Sequence, residues 1–133
     1  MTYLQQAQKT FPLSIEAPRS ARRWVHASGI VPLELIDKVD LVVSELGTNS
    51  VTHSGLAEPN VVSVRLVSLP EGVTGEIVDH GRGIGATPAR DERSMGLRIV
   101  ERTAYRWGYT DDPTRVWFEF RDAEERPSRL PVA

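Results

Sequence analysis

Apolar residues recur at two different spacings along the chain, and the spacing changes several times between its ends. From Pro32 to about His53 they follow the 3.6-residue period of an amphipathic helix, the longest element that the sequence predicts. Between positions 61 and 69, Val62, Val64 and Leu66 alternate with other residues, as in a strand with one buried face. The chain therefore combines helices and strands.

Proline and glycine mark the ends of the other elements. Pro18 predicts the first turn of a helix that ends before Gly29, and the turn Pro70-Glu71-Gly72 predicts an antiparallel hairpin. In chain order, the sequence predicts strand 13–17, helix 18–28, helix 32–53, strands 61–69 and 73–79, helix 96–106, and strands 107–110 and 115–121.

This order of elements predicts a two-layer α/β sandwich of the α+β class. Neighbouring antiparallel strands with helices between them favour a mixed, mostly antiparallel sheet with helices on one face. We expect a single domain over residues 1–121, since about 100 to 150 residues suffice for one core. The polar, glycine-rich stretch 80–94 is expected to be a functional loop, and 122–133 a disordered tail.

The composition excludes several classes of protein. Hydrophobic residues make up 40% and charged residues 26%, which is typical of a globular domain. A net charge of −2 gives no electrostatic basis for nonspecific binding to nucleic acid, and the absence of cysteine excludes disulfides and thiolate chemistry. Because the sequence contains no membrane-length apolar run and no signal-peptide pattern, we expect a cytoplasmic protein without membrane association.

The C-terminal end of the second predicted helix carries the first candidates for chemistry. Asn49 and His53 fall within its apolar stripe, and Glu45 lies at the edge. A buried amide or carboxylate is costly without a partner, so this face either lines a ligand cavity or bridges neighbouring elements. In a cavity, the side-chain oxygens of Glu45 and Asn49 would suit Mg²⁺. For His53, the simpler interpretation is a helix-end histidine without a ligand.

A glycine-rich turn follows the second strand of the hairpin. Asp79 ends the strand, and Gly81, Gly83 and Gly85 occupy every second position after it. Glycines allow the backbone to approach a ligand closely, and a carboxylate at a strand end can accept a hydrogen bond from an exocyclic amine such as that of adenine. The turn matches neither the Rossmann nor the P-loop motif. On its own, it is equally consistent with a flexible surface loop.

A third candidate lies at the start of the next predicted helix. Ser94 and Gly96 place small residues at this start, and an arginine-bearing loop precedes them. A helix N-terminus of this kind can bind an anion such as a polyphosphate. The alternative is a simple helix cap.

Taken in this order, the segments resemble those of the histidine-kinase-like (GHKL) ATPase superfamily, and in particular its small anti-sigma-factor branch. Residues 41–54 (LVVSELGTNSVTHS) resemble the N box of that branch, residues 78–83 (VDHGRG) its first glycine box, and residues 95–100 (MGLRIV) its second. Residues 107–108 and 116–119 resemble its last strands. The resemblance extends over residues 11–121.

The resemblance implies a site for ATP and Mg²⁺. It implies that Asn49 coordinates Mg²⁺, that Asp79 reads adenine, and that Gly81, Gly83 and Gly96 let a lid and a helix wrap the phosphates. The matching segments add further candidate nucleotide-binding residues, namely His53, Ser94, Met95 and Leu97.

The resemblance also implies a reaction and partners. In kinase members the N-box acid, here Glu45, activates a hydroxyl nucleophile, which agrees with general-base chemistry. The substrates are serine residues of small antagonist proteins. The other partner is a sigma factor, held on the exposed sheet surface, often by a homodimer.

The sequence departs from the family pattern at two positions. Ser94 stands where the second glycine box usually has another glycine, and Thr52 where the N box often has a basic residue. No helical hairpin with a phospho-acceptor histidine precedes the domain, so a complete sensor histidine kinase is not expected. Two functions stay open: a serine kinase that sequesters a sigma factor, and a non-catalytic binding module. A structural adaptor without nucleotide would leave Glu45, Asn49 and Asp79 without a shared explanation.

Overall fold

A computed structural model describes residues 5–53, 60–81, 92–111 and 113–122 of the chain. The elements, in order, are strand β1 (Gln6–Pro12), helix α1 (Ala17–Ser28), one 3₁₀ turn (Leu33–Leu35) that leads into helix α2 (Ile36–His53), strand β2 (Val61–Leu69), strand β3 (Gly72–Asp79), helix α3 (Glu92–Thr103), strand β4 (Arg106–Asp111) and strand β5 (Thr114–Arg121).

The strands form one sheet in the order β1-β2-β3-β5-β4, and helix α2 packs against both α1 and α3. The predicted α/β sandwich is therefore confirmed. The prediction of a mixed sheet is not confirmed, because all four pairings between the described strands are antiparallel. Short connections account for the antiparallel pairs β2–β3 and β4–β5, since parallel neighbours need long crossovers, whereas the pairs β1–β2 and β3–β5 are antiparallel although helices lie between their strands in the chain. None of the described helices is long and apolar enough to cross a bilayer.

The core lies between α2 and the middle strands of the sheet. Val39, Val42 and Val43 of α2 are completely buried, as are Leu66 of β2 and Phe118 of β5. Each such side chain contributes about 1.5 to 3 kcal/mol by leaving water. The packing of α2 thus fixes the helix layer over the centre of the sheet.

One glycine makes this close packing possible. Gly75 of β3 pairs with Leu66 on one side and Phe118 on the other. A Cβ atom at Gly75 would lie 2.7 Å from Cζ of Phe118 and 2.9 Å from Cδ2 of Leu66. The two large side chains therefore occupy the space that any other residue at position 75 would need.

Several predicted boundaries are confirmed. Helix α1 has Pro18 in its first turn and ends at Gly29, whose φ of 70° is the left-handed conformation that glycine adopts readily. The predicted apolar stripe of α2 is buried from Leu35 to Leu46. The hairpin β2–β3 and the strands β4 and β5 lie within one or two residues of their predicted positions.

The prediction of the first strand was wrong. Residues 13–16 form a turn that leads into α1, which begins at Ala17, and Ile15 is 86% exposed although the alternating pattern placed it beside buried Leu13. The strand lies earlier, at Gln6–Pro12, where Phe11 is the only buried residue. An edge strand contributes few side chains to the core, so β1 has almost no apolar alternation.

The predicted start of the last helix was also wrong. Helix α3 begins at Glu92, so Gly96 is an interior residue of the helix and not its first. It ends at Thr103, and Arg106 already belongs to β4. Glycine lowers the stability of a helix only modestly, so the helix can continue through Gly96. An acidic residue in the first turn, here Glu92, favours the earlier start. Residues 82–91 of the predicted loop and residues 123–133 of the predicted tail lie outside the described residues.

The face of the sheet opposite the helices carries charged residues. Glu76 of β3 forms ion pairs with Arg115 of β5 and, at 3.9 Å, with Arg65 of β2. Trp117 is half-buried beside them, next to a cavity of about 80 Å³. The charges at the centre of this face therefore already have partners.

A second ion-pair cluster lies further along β5. Arg106 donates a hydrogen bond to Oε1 of Glu119 at 2.9 Å, and Arg121 donates to Oε2 at 2.5 Å. Burial alone would raise the pKa of Glu119, but the hydrogen bonds and positive charges of the two arginines outweigh it and lower the pKa. Glu119 thus remains ionised on a largely buried site.

We expect Gly75→Ala to lower the free energy of unfolding by about 1 to 3 kcal/mol, because the new methyl group overlaps Phe118 and Leu66. Urea denaturation measures this cost. In a Phe118→Leu background the ring is absent, so the same substitution should cost less. An equal cost in both backgrounds would contradict the packing argument.

The lowered pKa of Glu119 predicts a contribution to stability that depends on pH. The contribution is complete above the ordinary glutamate pKa of 4.5 and is lost as the pH falls through and below that value. Glu119→Gln should therefore be less stable at pH 7 and should lose less further stability on acidification. Urea denaturation at several pH values measures both effects. Glu71→Gln is the control, because Glu71 is half-exposed and lies 3.8 Å from Arg121. Parallel stability curves for wild type and Glu119→Gln would count against the argument.

Candidate functional site

Asp79 lies at the end of β3 beneath the helix layer and is only 2% exposed. Its Oδ2 accepts a hydrogen bond from the Ser50 hydroxyl of α2 at 2.7 Å, and its Oδ1 accepts one from the backbone N–H of Gly81 at 2.9 Å. The two donors fix the orientation of the carboxylate. Because each oxygen has two lone pairs, Asp79 can still accept a hydrogen bond from a bound molecule.

Thr114 faces Asp79 directly across the sheet, at the start of β5. Its side-chain hydroxyl is buried and has no hydrogen-bond partner within the described part of the chain. Buried hydroxyls are normally paired with protein or water. The unpaired hydroxyl beside the Asp79 carboxylate therefore marks a position where a polar group of a ligand or a water molecule would bind.

Asn49 and Leu97 complete the walls of this pocket. Asn49 of α2 is 6% exposed and precedes Ser50, while Leu97 reaches the pocket from α3 and is half-buried. The cavity that remains between the walls is about 10 Å³. This volume holds about one water molecule. A molecule as large as a purine can enter only if the walls move apart.

The oxygen-containing side chains at the pocket determine which kind of metal ion it could bind. Among the residues that the structure describes, no group of three or more His, Asp or Glu side chains is arranged to hold a metal. Asn49 offers one hard oxygen at the pocket wall. These residues fit a magnesium ion that arrives with phosphate oxygens and water as its other ligands, and they do not fit a metal held by protein alone.

Glu45 lines a different cavity. It lies one helical turn before Asn49 but lines a surface groove of about 460 Å³ between α1 and α2. There His26 of α1 contacts Asp40 of α2 through a short hydrogen bond, and two buried oxygens, Oδ1 of Asp40 and Oγ of Ser44, have no partner among the described residues. Among the described residues, the groove at Glu45 therefore shares no wall residue with the pocket that contains Asn49 and Asp79.

The other predicted site residues are placed as follows. Gly81 lies beside Asp79 and uses its N–H to hold that carboxylate, and His53 is the last residue of α2. Ser94, Met95 and Gly96 lie in the first two turns of α3. Gly83 lies outside the described residues, and so do the side chains of His53 and of residues 92–96. Whether any of these residues contacts nucleotide stays a prediction.

Sequence reasoning missed Ser50 and Thr114. Ser50 had a local signal, because it follows Val43 and Leu46 at helical spacing and therefore falls on the buried face of α2. Thr114 had none. Its position opposite Asp79 depends on the register between β3 and β5, which are separated by helix α3 and strand β4.

A family match is found among known proteins. A family model described as histidine kinase-like ATPase domain matches residues 11–120, which span every described element except most of β1 and the last residue of β5. The comparison with curated proteins gave no match.

Proposed function

The chain belongs to the histidine kinase-like ATPase domain family, and from that premise we propose that it binds ATP with Mg²⁺ at the Asp79 pocket and serves a regulatory function. The observation that carries this proposal is that the buried Asp79 carboxylate lies opposite the buried Thr114 hydroxyl, which has no hydrogen-bond partner among the described residues. A carboxylate acceptor next to a hydroxyl is complementary to the amine and ring-nitrogen edge of adenine.

The remaining residues would bind the phosphates and the metal. The Asn49 amide oxygen is the proposed Mg²⁺ ligand, and the ion would neutralise charge on the phosphate oxygens. The N-terminal end of α3 offers backbone N–H groups to an anion, although it begins at Glu92 and not at Gly96. Gly81 and Gly83 are the proposed points of close approach to the phosphates.

Nucleotide binding at this site must open the pocket. A cavity of about 10 Å³ is far smaller than adenine, so Leu97 and α3 would have to move away from α2 and β5. The free energy of this separation is subtracted from the intrinsic affinity for the nucleotide. We therefore propose that ATP binding and the position of α3 are coupled.

The more specific form of the proposal is a serine kinase that also sequesters a sigma factor. In this reaction Glu45 takes the proton from a serine hydroxyl of an antagonist protein. The serine oxygen then forms a bond to the γ-phosphorus, and ADP leaves with the electrons of the broken bond. The open groove beside Glu45 would admit the serine, and the sheet face around Trp117 is the proposed sigma-factor surface, with homodimerisation as a further possibility.

A specific observation favours the alternative, a non-catalytic nucleotide-binding module. Within the described part of the chain, the groove at Glu45 and the pocket at Asn49 have different walls, which favours separate roles for these two residues. Ser94 in place of a glycine points in the same direction. In this alternative, ATP changes the binding surface of the protein without being consumed.

We expect titration calorimetry to detect binding of Mg-ATP to the wild type, and we expect Asp79→Asn to weaken it at least about tenfold, because a charged acceptor becomes neutral. Glu76→Gln is the matched control. It lies three residues earlier in β3 but on the opposite face of the sheet, so it should leave the affinity unchanged. A folded wild type that gives no binding heat at millimolar nucleotide would overturn the proposal.

Glu45→Gln separates the two functions. If the protein is a kinase, transfer of radiolabelled phosphate to serine-containing candidate antagonist proteins should fall about 10²- to 10⁴-fold, while Mg-ATP affinity is retained. Glu34→Gln, in the exposed turn before α2, is the control. A wild type that binds Mg-ATP but transfers nothing supports the non-catalytic module, and full transfer by Glu45→Gln excludes Glu45 as the base.

A further inference from the structure

Among the described strands, β1 forms one edge of the sheet and pairs with β2 alone. Six of its seven residues are exposed or half-exposed, and all of its backbone pairing within the described part of the chain is on the β2 side. Its outer edge therefore presents N–H and C=O groups that another strand could bind. Proteins commonly shield such an edge, because it invites pairing with other chains.

A groove runs along this edge, between β1 and α1. It has a volume of about 480 Å³, and its walls include Phe11 and Pro12 of β1 and Trp24 of α1. The rings of Phe11 and Trp24 meet edge to face, with their centroids 6.1 Å apart. An apolar side chain from an added strand would pack against the half-buried ring of Trp24, because Phe11 is only 4% exposed.

The charged residues of the groove are all basic. Lys9 of β1 and Arg23 of α1 line it, and neither forms an ion pair within the described part of the chain. Nζ of Lys9 lies 5.7 Å from the centre of the Phe11 ring. Arg19 and Arg22 are exposed on the same helix. An occupant with carboxylates would therefore supply the charges that the groove lacks.

We propose that the β1 edge and this groove form a docking site for an extended, acidic segment of a partner protein. The segment adds a strand to β1, so that main-chain hydrogen bonds supply affinity. Alternate side chains enter the groove, where an apolar residue packs on Trp24 and a carboxylate pairs with Lys9 or Arg23. This surface is formed by β1 and α1, whereas the proposed nucleotide pocket is formed by α2, β3, α3 and β5.

A second copy of this chain fits the edge less well. Antiparallel pairing of β1 with the β1 of another copy, in a register centred on the strand, places the two Lys9 side chains next to each other. Like charges in such positions destabilise strand pairing. Lys9 therefore disfavours self-association and favours an acidic partner.

Selection of a random heptapeptide display library on the full chain tests the proposal. On the wild type we expect sequences in which apolar and acidic residues alternate. On the Lys9→Glu, Arg23→Glu double variant we expect this preference to shift to basic residues. Lys38→Glu, which changes the only other lysine, is the charge control and should keep the wild-type preference. An unchanged preference in the double variant, or no enrichment on the wild type, would overturn the proposal.

A second measurement locates the bound peptide. With a synthetic peptide of the selected sequence, amide hydrogen exchange should slow in β1 and not in β4, the opposite edge of the sheet. Trp24→Ala should weaken binding at least about tenfold, while circular dichroism shows an intact fold. Protection confined to other elements would contradict docking on β1.

Discussion

The structure depends on the burial of helix α2 against the centre of the sheet. Val39, Val42 and Val43 are completely buried in the same core as Phe118 and Leu66, whose side chains fill the space that a Cβ at Gly75 would need. The same buried face continues past Leu46 into Asn49 and Ser50. One face of α2 thus contributes apolar residues to the core and, further along, polar residues to the Asp79 pocket. The apolar packing that holds α2 against the sheet therefore also positions these polar residues near Asp79.

This continuity explains why much of the architecture could be predicted. The stripe from Leu35 to Leu46 is regular because every member packs into the core, and the hairpin β2–β3 alternates because one of its faces is covered. The sequence also placed Glu45 at the edge of the stripe, where the structure finds it half-exposed. The periodicity of apolar residues in the sequence indicates which residues are buried, and each of these elements has a buried face.

The features that could not be predicted depend on tertiary contacts or lack burial. Strand β1 is stabilised by pairing with β2 and buries only Phe11, so its own sequence shows little apolar alternation. The alternation at Leu13 and Ile15 wrongly indicated a strand at those residues instead. Thr114 reaches Asp79 through strand register, which leaves no trace in local sequence. Among the described residues, Glu45 lines a groove formed by α1 and α2, whereas Asn49 lines a pocket formed by α2, β3, α3 and β5. Sequence alone could propose these site residues together but could not show that they face two spaces.

The ion pairs on the open sheet face have a consequence for association in solution. A partner that docks around Trp117 meets two arginines and one carboxylate, so Glu76 cancels one of the two positive charges and the binding should respond less steeply to ionic strength than association at the β1 edge. Lys9 and Arg23 at the β1 edge are not neutralised in this way. Association there would be steered by long-range attraction and would weaken steeply with added salt. The domain therefore has two surfaces whose binding to partners should depend differently on salt concentration.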